Sequence, residues 1–336
     1  MQDMVSIVIP SYKGAAKLKR AVNSVAGQTY ENIEIIVVDD NNPDTEERAA
    51  TEKIIRELNL PNVKYIKHEK NRNGAAARNT GIAAARGRYI GFLDDDDVYL
   101  NTRVEKSVAG IKKNAGCKAV FCNVLHVFGK NRCSIYEMSP ENICVRGILM
   151  YEAAIGTGSN LFAETETVRE LGGFDITFTR HQDLEFAIRL LEQFKAALLD
   201  EVLVVKLDNG INNEPDYFKM RDVKSKYNHK FEQQIGALTI NERALYFQNC
   251  HMRLYQLALN DGIASEAVQN LKAMERYGYK PGMKQKLQLI LTRLRLMKLI
   301  RKIQKSWCKT LKSRSAVISM SGLDQEIREQ LSALGV

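Results

Sequence analysis

The stretch Arg88-Tyr89-Ile90-Gly91-Phe92-Leu93-Asp94-Asp95-Asp96-Asp97 decides how this chain is read. It begins as a short apolar run with the character of a buried strand and ends in four consecutive carboxylates. In an open α/β sheet, ligands bind beyond the carboxyl ends of the strands. Adjacent carboxylates repel one another unless a cation or hydrogen-bond donors neutralise them. Oxygen-only ligands suit Mg2+ or Mn2+, and Mg2+ commonly takes one or two protein carboxylates together with substrate phosphates. The run therefore points to a metal-bound diphosphate. The competing reading is an acidic surface loop.

Working outward, Val5 to Pro10 is a near-continuous apolar run, as in a strand buried on both faces. The pattern predicts a helix over Ala15 to Val25 and a second buried strand over Ile33 to Val38, which ends in Asp39-Asp40-Asn41-Asn42-Pro43. A charged helix over Thr45 to Leu58, with Glu46 and Glu47 in its first turn, precedes a third strand over Val63 to His68. An alanine-rich helix over Ala75 to Ala85 closes near Gly87. Strands alternating with helices predict a parallel, Rossmann-like sheet. The GxGxxG dinucleotide fingerprint does not occur. Further along, Ala119 to Val127 reads as a strand and Asp183 to Phe194 as an amphipathic helix. Between them, Gly156-Thr157-Gly158-Ser159-Asn160 is a donor-rich loop before the apolar Leu161-Phe162. After about Asn209 the chain reads as helical and charged, without comparable strand signals.

Six segments now stand in one order: Pro10-Ser11-Tyr12, Asp39-Asp40-Asn41, Gly74-Ala75-Ala76-Ala77-Arg78-Asn79, Phe92-Leu93-Asp94-Asp95-Asp96-Asp97, Gly172-Gly173-Phe174-Asp175 and His181-Gln182-Asp183-Leu184-Glu185. This series resembles the family 2 glycosyltransferases, and the resemblance covers about residues 4–205. It implies a GT-A fold: α/β, with a Rossmann-like, mostly parallel central sheet flanked by helices, here followed by a C-terminal helical extension. It also implies inverting transfer of a sugar from a nucleotide-diphosphate donor, read here as a UDP-sugar, to a hydroxyl of a glycan or lipid-linked glycan. The setting implied is capsule, O-antigen or exopolysaccharide assembly.

The resemblance puts Tyr12 and Asp40 at the nucleotide base, with Pro10, Ser11 and Asp39 beside them in the donor site. A phenol ring can stack on a pyrimidine, and a carboxylate can accept its N3–H. Asp-Asn-Asn-Pro is also good turn chemistry, which is the competing role of Asp40. Arg78 falls where the family places an arginine near the diphosphate, for which a fixed fork of donors is suited. Asp94 and Asp96 form the D-x-D pair. Asp96 is the implied direct ligand of Mn2+ or Mg2+, Asp94 helps hold ribose and metal, Asp95 touches the sugar, and Asp97 is expected to cap the next helix. Asp183 is the candidate base that removes the acceptor proton, and its competing role is a helix N-cap. Where the family usually shows Glu-Asp, this chain has Gln182-Asp183. Gly158, Ser159 and Glu185 are assigned to the acceptor side. The Gln-x-x-Arg-Trp motif of processive members does not occur, so addition of a single sugar is expected. The rivals are a catalytically silent nucleotide-sugar-binding or scaffold protein, and a nucleotidyltransferase. The second would want a Gly-rich basic loop where Pro10-Ser11-Tyr12-Lys13-Gly14 stands.

With 45% hydrophobic and 26% charged residues, the composition is that of an ordinary globular protein. The start runs directly into a strand pattern without a secretory signal, and the six cysteines form no CxxC pair. Both features lead to the expectation of a cytoplasmic protein with reduced thiols. The net charge of +9 is local: residues 284–314 carry eleven Lys or Arg and no acid, which leaves −2 for everything else. That argues against nucleic acid as a partner of the main domain. Within the segment, Arg295, Lys298, Lys302, Lys305, Lys309 and Lys312 recur at helical spacing opposite Leu296, Leu299, Ile300, Ile303 and Trp307. A basic face opposite an apolar face carrying Trp is the pattern of a helix lying on an anionic membrane. The alternative is a helix packed on protein. The expected division is a nucleotide-sugar-binding and catalytic domain over 1–210 and a helical region over 211–336, peripheral at the inner face of the cell membrane.

Overall fold

The computed structural model describes residues 2–128, 132–153, 155–208, 215–294 and 317–336. The chain forms two compact units, one of 1–211 with 315–336 and one of 212–314. In the first, β1 (Val5–Ser11), α1 (Ala15–Ala26), β2 (Ile33–Asp39), α2 (Glu46–Leu58), β3 (Val63–Lys67), α3 (Gly74–Ala84) and β4 (Tyr89–Phe92) follow one another as the alternation predicts. Then come β5 (Val98–Tyr99), α4 (Arg103–Lys113), β6 (Cys117–Val127), β7 (Arg132–Tyr136), α5 (Val145–Leu149), β8 (Phe162–Glu164), α6 (Thr165–Glu170), α7 (Gln182–Gln193) and β9 (Lys195–Leu207).

Strands β3, β2, β1 and β4 are neighbours in that order and all parallel. In register, Ser11 lies beside Asp39 and Val8 beside Phe92. The carboxyl ends of three parallel strands thus deliver Ser11-Tyr12, Asp39-Asp40 and Asp94–Asp97 to one edge of the sheet, where ligands of such sheets bind. Beyond β4 the sheet becomes mixed: β8 is antiparallel to β4 and β6, and β9 is parallel to β6. All seven residues of β2 are buried, including Glu34, which accepts a hydrogen bond from Ser6 Oγ of β1 (2.6 Å). Leu18, Val22 and Val25 of α1 and Val104 and Val108 of α4 close one core over these strands. The alanine-rich face of α3 allows close approach to the sheet: a Cβ added at Gly81 would stand 2.2 Å from Val8 Cγ1.

Strands β5 and β7 were not read from the sequence, and two more were hidden there. β9 is interrupted by Asp200-Glu201, which bulge out of its pairing with β6 between Cys122↔Leu199 and Asn123↔Val202. Its Asp200 accepts a hydrogen bond from Asn123 Nδ2 (3.0 Å). The other is β10 (Val317–Ser319), which adds antiparallel to β7 at the sheet edge. With the helix Gln325–Ala333 it returns the last twenty residues to the first unit. The sequence reading had placed them in the helical region. Leu323 and Leu331 are buried here against Val98, Leu100, Leu125 and Val205. The second unit contains α8 (Tyr217–Lys230), α9 (Glu232–Gly236), α10 (Ile240–Asn260), α11 (Ala264–Arg276) and α12 (Met283–Arg293), with Tyr217, Leu254, Tyr255, Leu271 and Met274 in its core. No helix among the described residues is long and apolar enough to cross a membrane. Residues 295–316, which hold most of the expected basic helix, lie outside the described residues.

Leu331 is 1% exposed, so Leu331→Ala is expected to cost about 2–5 kcal/mol in urea unfolding. A cost below about 0.5 kcal/mol, the range of surface substitutions, would mean that the terminal segment does not pack there.

Candidate active site

The four carboxylates that end β4 each meet a different environment. Asp94 Oδ1 accepts from Arg78 Nη2 (2.5 Å), Asp94 Oδ2 accepts from Thr157 Oγ1 (3.3 Å), and the Asp94 amide donates to Ser159 Oγ (3.0 Å). Asp95 Oδ2 accepts from the Tyr12 amide (3.3 Å). Burial first, then the charges of Asp96 and Asp94, push the Asp95 carboxyl up to about 7, with Ser11 and the Tyr12 amide opposing. Asp97 is 2% exposed, and its Oδ2 accepts from Thr157 Oγ1 and Ser159 Oγ (both 2.7 Å). Burial again, followed by Asp94 and Asp96, raises its pKa. Arg20 of α1 faces Asp96 and Asp97; burial depresses the pKa of this guanidinium and the two carboxylates counter the shift. Asp97 was expected to cap the next helix. It instead anchors the 157–159 loop, and α4 starts later, with Thr102 at its N-cap.

Across this edge stands the start of α7. Asp183 Oδ1 accepts from the Leu184 amide (2.9 Å). Burial raises the Asp183 pKa, the Leu184 amide and Arg78 oppose it, Asp94 adds to it, and Lys206 lowers it. Asp183 therefore lies within electrostatic reach of Asp94, Arg78 and Lys206. Lys206 is itself fixed by donating from Nζ to Gly156 O (2.9 Å). A carboxylate with a raised pKa, held on a helix opposite the strand ends, can accept a proton from a bound hydroxyl.

The other candidates divide. Tyr12 is 49% exposed at the end of β1, so its ring is open to a flat ligand. Pro10 and Ser11 are in place in the same strand, with Ser11 buried. Asp39 and Asp40 are almost wholly buried and engaged within the protein. Asp39 accepts from the Asn41 amide (2.9 Å) and from Tyr65 Oη, and pairs with Arg48 (3.2 Å). Asp40 accepts from Asn71 Nδ2 (2.8 Å) and the amides of Arg72 (2.8 Å) and Asn73 (2.9 Å), and it meets His68 Nδ1 (2.7 Å). These two carboxylates build the loops around the site, the turn role weighed for Asp40, in place of the base contact expected of it. Gly158 and Ser159 are buried as well, and the Ser159 hydroxyl serves Asp97. Glu185 is fully buried in a two-pronged pair with Arg189 (2.5 and 2.8 Å), which also donates to Leu171 O and Gly173 O. Its place on the acceptor side is thereby corrected: it anchors the 171–173 turn on α7. Arg20, Thr157 and Lys206 were missed. The paired hydroxyls of Thr157-Gly158-Ser159 were a readable signal for one of them; the two cations reach the site only through the fold.

Residues 6–139 match the model of the family described as Glycosyl transferase family 2. An uncharacterised glycosyltransferase of Rickettsia bellii is 27% identical over 60% of this chain and 29% of its own length. The Escherichia coli UDP-Glc:alpha-D-GlcNAc-diphosphoundecaprenol beta-1,3-glucosyltransferase WfgD is 34% identical over 33% of this chain and 42% of its own. The chain thus spans less than half of either relative. Among solved structures, S. aureus TarS superposes with a TM-score of 0.54 at 18% identity, covering 90% of this chain and 55% of that one. The fold is an α/β architecture of the GT-A kind. The segment 6–139 is similar to family 2 glycosyltransferases, and the fold is that of their structural neighbours.

Because Glu185 sits in a buried ion pair, Glu185→Ala is expected to cost about 3–5 kcal/mol in thermal or urea unfolding. An acceptor-binding carboxylate would leave stability unchanged.

Proposed function

We propose that this chain transfers one sugar, with inversion, from a UDP-linked donor to a hydroxyl of a lipid-linked glycan during surface-polysaccharide assembly. The observation that carries the reading is Asp183 on α7 facing the Asp94–Asp97 strand end, with the exposed Tyr12 at the neighbouring strand end. WfgD, by its name, uses UDP-Glc and a diphosphoundecaprenol-linked GlcNAc.

In this reading Tyr12 stacks on the base and the 94–97 segment receives the diphosphate. The site's donor set fits a hard divalent cation: the carboxylates of Asp94 and Asp96 are all-oxygen ligands. Among the described residues no three His, Cys, Asp or Glu side chains converge into a cage. Mg2+ or Mn2+ would be held there by Asp96 and Asp94 together with phosphate oxygens. Such an ion neutralises charge on the departing nucleoside diphosphate. Asp183, with its raised pKa, takes the acceptor proton as the new bond forms at the anomeric carbon. Asp39 and Asp40 act through the loops they hold. Asp183→Asn is expected to lower kcat by about 10²–10⁴-fold while leaving UDP affinity intact. Full turnover in that variant would remove Asp183 from the mechanism.

The membrane part of the reading concerns α12. Met283, Leu287, Ile290 and Leu294 are exposed (89, 47, 53 and 62%) at helical spacing, in a segment whose sequence is rich in Lys and Arg. An apolar stripe beside basic residues favours an anionic bilayer surface. Truncation after α12 would also remove the terminal strand and helix of the first unit, so substitution is the cleaner test. The double variant Leu287→Glu, Ile290→Glu is expected to sediment several-fold less with phosphatidylglycerol liposomes, by the loss of buried apolar area. Unchanged sedimentation would contradict membrane docking through this face.

A further inference from the structure

The Arg78 guanidinium joins three elements. It rises from α3, donates from Nη2 to Asp94 at the end of β4 (2.5 Å), and donates from Nη1 to Gln182 Oε1 at the first residue of α7 (2.9 Å). It is 9% exposed. The Phe174 ring lies 5.4 Å from its central carbon, and Gly158 approaches so closely that a Cβ there would stand 3.2 Å from Nη2. Phe174 in turn stacks on Phe186 of α7 (4.6 Å) and meets Phe92 of β4 edge-on (5.0 Å). An apolar layer beneath the guanidinium thus repeats the connection that the guanidinium makes above it.

A diphosphate clamp needs its fork of donors turned toward the ligand. Here the fork is turned toward Asp94 and Gln182, inside the protein. Gln182 also donates from Nε2 to Phe178 O (2.7 Å). Position 182 therefore needs one acceptor and one donor, which an amide supplies and a carboxylate does not. A glutamate there would face the Phe178 carbonyl with a like-signed oxygen. It would also divide the Arg78 charge between two acids, where the amide leaves that charge to Asp94.

We propose that Arg78 and Gln182 form a positioning pair, a strut that fixes the Asp94 carboxylate against the Asp183 helix, in place of the diphosphate-binding role expected of Arg78. The proposal rests on the donor and base assignments above. Its consequence is that the pair governs the chemical step and leaves nucleotide affinity nearly untouched. A misplacement of about 1 Å between reacting groups can cost about 10²-fold in rate.

The test compares the full chain with Arg78→Lys, Gln182→Ala and Gln182→Glu, using UDP with Mn2+ in calorimetry, UDP-sugar turnover, and amide hydrogen exchange without ligand. A lysine cannot span both partners, and Gln182→Glu keeps the Arg78 contact while losing that to Phe178. Arg78→Lys and Gln182→Ala are expected to lower kcat by about 10–100-fold. Their UDP dissociation constants and donor KM should stay within about threefold of the parent, the pattern of an interaction used only in the transition state. Exchange should quicken at 94–97 and 178–184 in both, and less in Gln182→Glu. A loss of UDP affinity of about tenfold or more in Arg78→Lys, about 1.4 kcal/mol, would make Arg78 a phosphate ligand and overturn the proposal. Unchanged exchange in Arg78→Lys and Gln182→Ala would overturn it too, even if the parent bound no UDP. That last result would instead defeat the proposed donor.

Discussion

Everything at this site follows from placing four carboxylates on consecutive residues at the end of one buried strand. Their mutual repulsion must be answered locally, and the fold answers each differently. Asp97 is buried under two hydroxyls from the 157–159 loop, and Asp95 is held by the Tyr12 amide from the neighbouring strand. Asp94 pairs with Arg78, and Arg20 of α1 stands near both Asp96 and Asp97. The two carboxylates driven toward protonation by burial are Asp95 and Asp97.

The parallel half of the sheet could be read from the chain because β1, β2 and β4 are buried and mostly apolar, with Ser6 and Glu34 hydrogen-bonded to each other inside it. Val5 to Pro10 and Ile33 to Val38 fall within β1 and β2. The mixed half could not. β9 carries Asp200-Glu201 at a bulge, so its apolar period breaks in the middle. β10 is three residues long and exists only as an edge partner of β7. A sequence pattern reports local burial, and neither strand has enough of it.

The site residues show the same division. The positions of Tyr12, the Asp94–Asp97 run and Asp183 could be located in the sequence because they stand at the ends of recognisable elements. The roles of Asp39, Asp40, Ser159 and Glu185 were not, because a carboxylate or hydroxyl serving a loop has the same sequence appearance as one serving a ligand. What separates them is burial and partner count: Asp40 meets four protein donors and Glu185 a paired guanidinium. Arg78 crossed between categories, for the residue lies where a diphosphate ligand was expected but its donors are turned inward. Arg20 and Lys206 were invisible, since 76 and 110 residues separate them from Asp96.

The central claim is that the end of β4 receives a nucleoside diphosphate through a divalent cation. Calorimetric titration of UDP into the protein, with Mn2+ and with EDTA, tests it most directly, alongside Asp96→Ala. The account predicts binding that requires the cation and is lost in the variant. Equal UDP binding in EDTA and in Asp96→Ala would contradict it.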